Sequence, residues 1–389
     1  MQWGNALPLF QFPVYCSLEI IRDSDRLFRM TTFLDRRHKI RRAIAKQKLD
    51  ALLVTNSINV RYLTGFTGGS GYLLIQPDSD TILSDSRFTI QIDEECPGLD
   101  TIIRPRSEST SATLTKLLGK TTTGKLGIEA ESMTVAQHEK LCEEFPHWQL
   151  APTKKVVEDL RQIKDRDEIA QIRCAIDIAG DAFEQIRSQL HSELSEINIR
   201  NALDFQMQLL DAEERSFPTI IGAGAHAALP HATPSKQTLS GQSHVLFDWG
   251  CVVNGYMSDL TRVVFLSSQN KSTQKKFQTV YETVLKAQEA AIAAIKPGKT
   301  CEEIDAIARN IITDAGFGKH FGHGLGHAIG LQIHENPRFA PGDKTILKTG
   351  MILTVEPGIY LKGWGGVRIE DDVLVTQTGC EVLSRKVPK

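Results

Sequence analysis

Asp248, Asp259, His327, Glu356 and Glu370 are the residues of this chain best suited to do chemistry together. They stand in the short segments LFDWG, YMSDLTR, GHGLGHAIG, LTVEPGIY and GVRIEDDV, each strand-like or punctuated by glycine. Hard carboxylate oxygens joined by a single imidazole suit borderline divalent ions such as manganese, cobalt, iron or zinc. Two such ions about 3.5–4 Å apart hold a hydroxide and clamp a hydrolytic transition state. Four carboxylates brought to one point cannot all stay ionised without cations. If the five segments converge, metal follows from electrostatics.

The local sequence says how each residue is carried. Asp248 ends the apolar run VLFD, and Asp259 lies just before TRVVFL. A turn at Asn254-Gly255 between the two runs predicts hairpin pairing that makes the carboxylates neighbours. Taken singly, each Asp reads as an ordinary cap or turn residue, and its weight comes from its company. Residues 320–335 read HFGHGLGHAIGLQIHE and hold His320, His323, His327 and His334. Glycines at 322, 324, 326 and 330 argue against a continuous helix, so His323 and His327 are not a helical zinc clip. The HExxH pattern is absent too, because Asn-Pro-Arg follows His334-Glu335. The glycines instead allow close backbone approach to an ion or ligand. Glu356 follows the apolar run MILTV, where a buried carboxylate must be paired or coordinate metal. Ile369, Val373 and Val375 alternate onto one face, leaving Glu370 and Arg368 on the other. Alone, that pair reads equally well as a surface salt bridge.

These segments need a scaffold, and 389 residues predict two domains. From about 33 to 152 helix and strand patterns alternate. Arg36–Lys48 reads as a helix, Ala51–Thr55 as a buried strand, and Tyr72–Ile75 with Thr81–Ser84 as strands around a Pro77-Asp78 turn. Helical stretches follow near Ser86–Glu95 and Val135–Phe145, giving an α/β domain with a mixed sheet. Residues 153–166 are charged and read as a connection. Beyond them Ile169, Ile172, Ile176, Ala179, Phe183, Ile186 and Leu190 form one apolar helical stripe, read as plain core. A second helix covers about Glu196–Glu213. Strands are expected at Thr219–Gly222, His244–Asp248 and Thr261–Leu266. Two more helices run from about Thr273 to Ile295 and from the capping box at Thr300–Glu303 to Gly316. Short strands and turns fill 320–385. The order suggests two related halves facing a central cleft.

Composition is that of a globular protein, 41% hydrophobic and 24% charged. A net charge of −2 gives no global field for nucleic acid or an anionic membrane. The run RRHKIRR at 36–42 reads as a solvated helix face. Seven widely spaced cysteines without a CxxC argue for a reducing, cytoplasmic compartment and small buried thiols. No apolar run reaches the roughly 18 residues of a membrane span. The N-terminal stretch lacks a basic n-region and is interrupted by Pro8 and Pro13, against a signal peptide. Residues 1–29 read as an extension without fold.

Together the motifs resemble the metallopeptidase clan of methionine aminopeptidase, aminopeptidase P and prolidase. The Asp248/Asp259 spacing, the GHxxGxxxHE block, VEPGxY and RxED occur in the family's order. The resemblance implies an α+β protein: a pita-bread catalytic domain over 160–389 and a smaller α/β creatinase-type domain over 30–155. It implies that Asp248, Asp259, His327, Glu356 and Glu370 hold two divalent ions, Mn²⁺ first, with Co²⁺, Zn²⁺ or Fe²⁺ as alternatives. It further implies that Asp259 and Glu370 bridge them and that Glu356 also shuttles protons. His231 in LPHATP and His334 match substrate-side positions, while His323 and Arg368 match positions behind them. The implied activity is that of an Xaa-Pro aminopeptidase: a hydroxide bridging two metals hydrolyses the bond before a proline at the second position of a peptide. The implied assembly is a homodimer, with no nucleic-acid or membrane partner. Prolidase, which takes dipeptides only, is the first alternative. A pita-bread binding protein without catalysis, a creatinase-like amidinohydrolase and a methionine aminopeptidase fit less well, since the ligand set is intact and the extra N-terminal domain is present. One departure stands out: relatives usually carry Asn near Ala225-His226, so His226 reads as a substituted imidazole near the cleft and not as a ligand.

Overall fold

The structure, a computed structural model, describes residues 23–118, 123–266 and 270–389. The chain forms two compact units that divide between Arg161 and Gln162. Residues 156–161 therefore belong with the N-terminal unit.

In that unit the strands are β1 (Ala51–Val54), β2 (Tyr72–Ile75), β3 (Asp80–Asp85), β4 (Asp100–Arg104), β5 (Gly124–Glu129) and β6 (Trp148–Thr153). They form one mixed sheet in the order β4-β3-β2-β1-β5-β6. The predicted β2–β3 pair is antiparallel, with Leu73 opposite Ile82. The helices are α1 (Asp23–Lys46), α2 (Ser57–Thr64), α3 (Thr89–Glu95), α4 (Thr110–Leu118), α5 (Val135–Glu144) and α6 (Glu158–Arg161). Leu53, Leu74, Leu83, Leu114 and Leu126 meet in the core, where each buried large apolar side chain contributes about 1.5–3 kcal/mol. Residues 23–29, read as part of an extension, are helical in α1, while residues 1–22 lie outside the described residues. The basic run is only partly a solvated face: His38, Lys39 and Arg42 are exposed, but the two arginines before them turn inward. Arg36 and Arg37 are buried and donate to the carbonyls of Tyr62 and Leu63. Arg37 and Arg41 both pair with Asp80. Sequence charge counting missed this because buried Asp80 lies far along the chain.

The C-terminal unit holds the helices α7 (Arg166–Arg187), α8 (Glu196–Leu209), α9 (Lys271–Ala294) and α10 (Cys301–Asp314). Capping boxes at Asp165, Ser195 and Thr300 start α7, α8 and α10 by satisfying amide donors that a helix N-terminus leaves free. The α7 stripe buries Ile172, Ile176, Ala179 and Phe183 as expected. Its last member, Leu190, lies beyond the helix end. Helix α8 stops before the predicted Glu213, since Leu210 leaves the helical region and Asp211 takes a positive φ of 71°.

The strands of this unit are β7 (Glu214–Arg215), β8 (Ile220–Ala223), β9 (His244–Trp249), β10 (Cys251–Val253), β11 (Tyr256–Met257), β12 (Leu260–Phe265), β13 (Gly326–Ala328), β14 (Glu335–Phe339), β15 (Ile352–Val355), β16 (Gly358–Leu361), β17 (Gly365–Arg368), β18 (Asp371–Val375) and β19 (Cys380–Val382). One sheet has the order β12-β9-β8 and another β14-β13-β15-β18-β19. Helices α7 and α8 pack on the first through Phe183, Leu203, Phe247 and Trp249. Helices α9 and α10 join a second core with Val284, Ile304, Ala328, Leu353 and Val373. A helix pair backing each sheet is the predicted arrangement of two similar halves. An antiparallel bridge between Thr261 and Glu370 stitches the sheets together.

Candidate metal centre

Strand register explains how five residues distant in sequence come together. In β9 and β12, Asp248 lies opposite Thr261, and Asp259 immediately precedes β12. The turn at Asn254-Gly255 has positive φ at both residues, 47° and 76°, as a tight hairpin turn requires. It joins β10 to β11, so the chain makes a small side hairpin before returning along β9. Thr261 then pairs with Glu370. Val355 lies opposite Asp371, which makes their neighbours Glu356 and Glu370 adjacent. Ala328 opposite Leu353 brings in His327. The approach of β13 to β15 leaves no room for a side chain at Gly326, where a methyl carbon would sit 2.1 Å from the Thr354 carbonyl oxygen.

Ligand atoms of Asp259, His327 and Glu370 all lie within 4.8 Å of one another. His327 Nε2 is 3.6 Å from both Asp259 Oδ2 and Glu356 Oε1. Asp248 and Glu356 line the same cleft, of about 770 Å³, together with His231, His323, His334, Tyr360 and Arg368. All the expected site residues are therefore at one cleft. The fourth histidine of the motif, His320, is not among its lining residues and sits in the turn Gly318–His320.

The electrostatics favour a cation. Burial pushes all four carboxyls up: Asp248 above its ordinary value, Asp259 and Glu370 far above, and Glu356 to about 8. Mutual repulsion adds to this for Asp259, Glu356 and Glu370, and Arg368 partly offsets it for Asp248. Burial also lowers the His327 imidazole to about 3. Its Nδ1 is 3.2 Å from the Ala328 carbonyl, so Nδ1–H donates there and the Nε2 lone pair faces the carboxylates. A lone pair aimed at acidic oxygens is repulsive unless a positive charge lies between them. Among the described residues Asp248 Oδ1 is buried with no hydrogen-bond partner, another donor atom left over for an ion. The residues present thus fit a divalent metal.

Behind the ligands runs a hydrogen-bonded chain. Arg368 pairs with Asp248 and donates from Nε to Thr261 Oγ1 at 3.1 Å. Thr261 Oγ1 donates to Glu370 Oε2 at 2.6 Å. Arg368 also donates to the Tyr360 hydroxyl at 2.7 Å, which lies 2.9 Å from His323 Nε2. His323 Nδ1 is 2.8 Å from the Gly324 carbonyl. This orients His323, which burial above all, and then Arg368, lowers to about 4. Tyr360 and Thr261 received no role from sequence reasoning. Tyr360 ends the VEPGIY motif, and Thr261 follows Asp259 at the two-residue period that puts both on one strand face. His226 does not line the cleft. Its Nδ1 is bound 2.8 Å from Glu196 Oε2, inside the protein wall.

Residues 170–377 match metallopeptidase family M24, and residues 36–163 match the creatinase/prolidase N-terminal domain. The chain belongs to metallopeptidase family M24 and has its two-domain pita-bread fold with a creatinase-type N-terminal domain. It is 36% identical over 348 residues to the "Uncharacterized peptidase YqhT" of Bacillus subtilis, covering 89% of this chain and 96% of that one. An Xaa-Pro dipeptidase from Bacillus anthracis superposes with a TM-score of 0.87 at 36% identity, covering 92% and 98%. An X-Pro aminopeptidase from Thermotoga maritima superposes with a TM-score of 0.80 at 31% identity, covering 86% and 95%. Among the described residues no helix is long and apolar enough to cross a membrane.

Proposed function

We propose that this metallopeptidase hydrolyses the bond between an N-terminal residue and a following proline. The observation that carries the reading is the convergence of Asp248, Asp259, His327, Glu356 and Glu370 in one cleft beside His231 and His334. The relatives named for Xaa-Pro cleavage support it. The five residues would hold two divalent ions, manganese first. Bound there, such ions neutralise the carboxylates, polarise a substrate oxygen and acidify water. Glu356, with an 18% exposed side chain, is open to the cleft and takes a proton from water for delivery to the proline nitrogen. That nitrogen leaves only once protonated, since it is a tertiary amide nitrogen in the substrate. His231 and His334 face solvent in the cleft and donate hydrogen bonds to the substrate carbonyl as its oxygen gains charge.

Peptide length turns on one cation. Of the arginines lining the cleft, Arg368 pairs with Asp248, Arg215 with Asp204, and Arg200 bonds Asn201. Among the described residues the exposed Arg338 side chain makes no such bond, yet its charge is felt at His334 and His327. A guanidinium free at that place suits a carboxylate one proline beyond the scissile bond, which favours Xaa-Pro dipeptides. The volume of the cleft favours the second reading, an aminopeptidase for longer peptides, because about 770 Å³ exceeds what a dipeptide fills.

Gly-Pro and Arg-Pro-Pro hydrolysis in the presence of Mn²⁺ separates these readings. On the dipeptide reading Gly-Pro has the higher kcat/KM, and Arg338→Leu lowers it on the order of 10-fold, mainly through KM. Arg-Pro-Pro is little affected by that substitution. Preference for the tripeptide, unchanged by Arg338→Leu, selects the aminopeptidase. No cleavage of either peptide removes the Xaa-Pro reading.

A further inference from the structure

The fully buried Glu196 carboxylate, at the first turn of α8, lies outside the cleft and is bound from several sides. Oε1 accepts from the Ala223 amide at 2.8 Å. Oε2 accepts from the Ser235 amide at 2.8 Å and from the Ser235 hydroxyl at 2.7 Å. His226 Nδ1 lies 2.9 Å from Oε1 and 2.8 Å from Oε2. Ala223 and Ser235 are the two ends of a loop, and Pro230–Pro234 within it lines the cleft and carries His231. Further bonds close the same neck: the Gln237 side-chain amide donates to the Ala223 carbonyl at 2.7 Å, and the Ile197 amide donates to the Ser235 carbonyl at 3.1 Å. The His231 side chain is exposed, and the loop around it is also held by Arg368 Nη1, which donates to the Pro230 carbonyl at 3.3 Å, and by buried Ala227 and Ala232. The neck adds to these holds by fixing where the loop leaves and rejoins the wall.

We propose that Glu196, assisted by His226, is a positioning residue that staples both ends of the 223–235 loop and so holds His231 against the substrate. The inference rests on the Xaa-Pro reading for its kinetic consequence, but the staple itself is a structural claim. A carboxylate suits the post because each oxygen accepts more than one hydrogen bond, whereas a glutamine would turn donors toward the Ala223 or Ser235 donors. An imidazole at 226 adds a donor to the staple. It is a bound component of the wall and not a spare group in the cleft.

A double-mutant cycle on the Mn²⁺-loaded full chain, with whichever of Gly-Pro and Arg-Pro-Pro it cleaves faster as substrate, tests this. Glu196→Gln and His226→Leu are each made alone and together with His231→Ala. The staple predicts that Glu196→Gln lowers kcat/KM on the order of 10- to 100-fold, and His226→Leu less. In the His231→Ala background both losses shrink to within about 2-fold, because the residue they act through is gone. His226→Asn, which keeps a side-chain donor, restores most of the activity lost in His226→Leu. Hydrogen exchange by mass spectrometry reads the loop directly: residues 224–234 exchange faster in His226→Leu while α7 and α9 do not. Losses that persist in full without His231, or unchanged exchange in the loop, overturn the proposal. Should Glu196→Gln fail to fold, the His226 arms of the cycle decide. If the unaltered chain cleaves no Xaa-Pro peptide, the function reading falls, and the exchange result alone decides the staple.

Discussion

Asp259→Ala lowers turnover of an Xaa-Pro peptide by at least about a thousandfold, the several kcal/mol that metal-assisted hydrolysis supplies. The reason lies in the surroundings of Asp259. The residue is 5% exposed, its backbone amide donates to Asp372 Oδ2 at 3.1 Å, and its ligand atom groups with those of His327 and Glu370. The loss is not one of folding. In metal-free protein near pH 8 this carboxyl is held above its ordinary value by burial and by Glu370, Asp248 and Glu356, so removing it relieves repulsion. The metal-free variant therefore melts no lower than the metal-free parent, its helical circular dichroism is unchanged, and added Mn²⁺ no longer raises its melting temperature. A variant that stays active, or loses its helices, contradicts the assignment.

Stability of the metal-free protein falls as pH rises from 6.5 towards about 8. The sign follows from which state binds more protons. Buried His327 and His323 are lowered from 6.5 to about 3 and about 4, so the unfolded chain binds their protons first, and stability gained from them grows with pH up to 6.5 and no further. Glu356 is raised from 4.5 to about 8, and Asp259 and Glu370 are raised as well. Between the ordinary and raised values the folded state holds protons the unfolded state has released, which lowers stability with every step up in pH. Above 6.5 only the carboxylates contribute. Mn²⁺ replaces those protons, so its addition flattens the decline and, at about 100 times its Kd, raises the melting temperature by roughly 5–10 °C. Calorimetry at several pH values checks both parts. A metal-free melting temperature that is flat or rises above pH 6.5 contradicts the reading of the cluster as an uncompensated acidic site.

The ligands were legible because their chemistry is written in residue type: a carboxylate at the end of a buried strand has few explanations. What the sequence could not convey was register. That Asp248 meets Glu370 through Thr261 depends on pairing between β9, β12 and the start of β18, and no local pattern encodes a bridge between segments so far apart. For the same reason Thr261 and Tyr360, polar residues with partners elsewhere in the chain, went unassigned. Helices were located by periodicity and caps, yet the end of α8 was misplaced, because Asp211 turns the chain through a positive φ that an aspartate tolerates without advertising it. Arg36 and Arg37 show the limit of charge patterning, since these arginines look solvated until their acceptors, the Tyr62 and Leu63 carbonyls and buried Asp80, are known. His226 shows another: an imidazole next to a histidine motif invites a role in the cleft, and only the buried Glu196 reveals where it is bound.

The central claim is that these five residues work through bound metal. The most direct measurement is hydrolysis of Gly-Pro or Arg-Pro-Pro, whichever the protein cleaves faster, by protein stripped exhaustively with chelator, before and after Mn²⁺ is returned. The account predicts no cleavage above background in the stripped protein and recovery on adding the ion, with Asp259→Ala inert in both. Cleavage that persists at full rate after the metal is removed would contradict it.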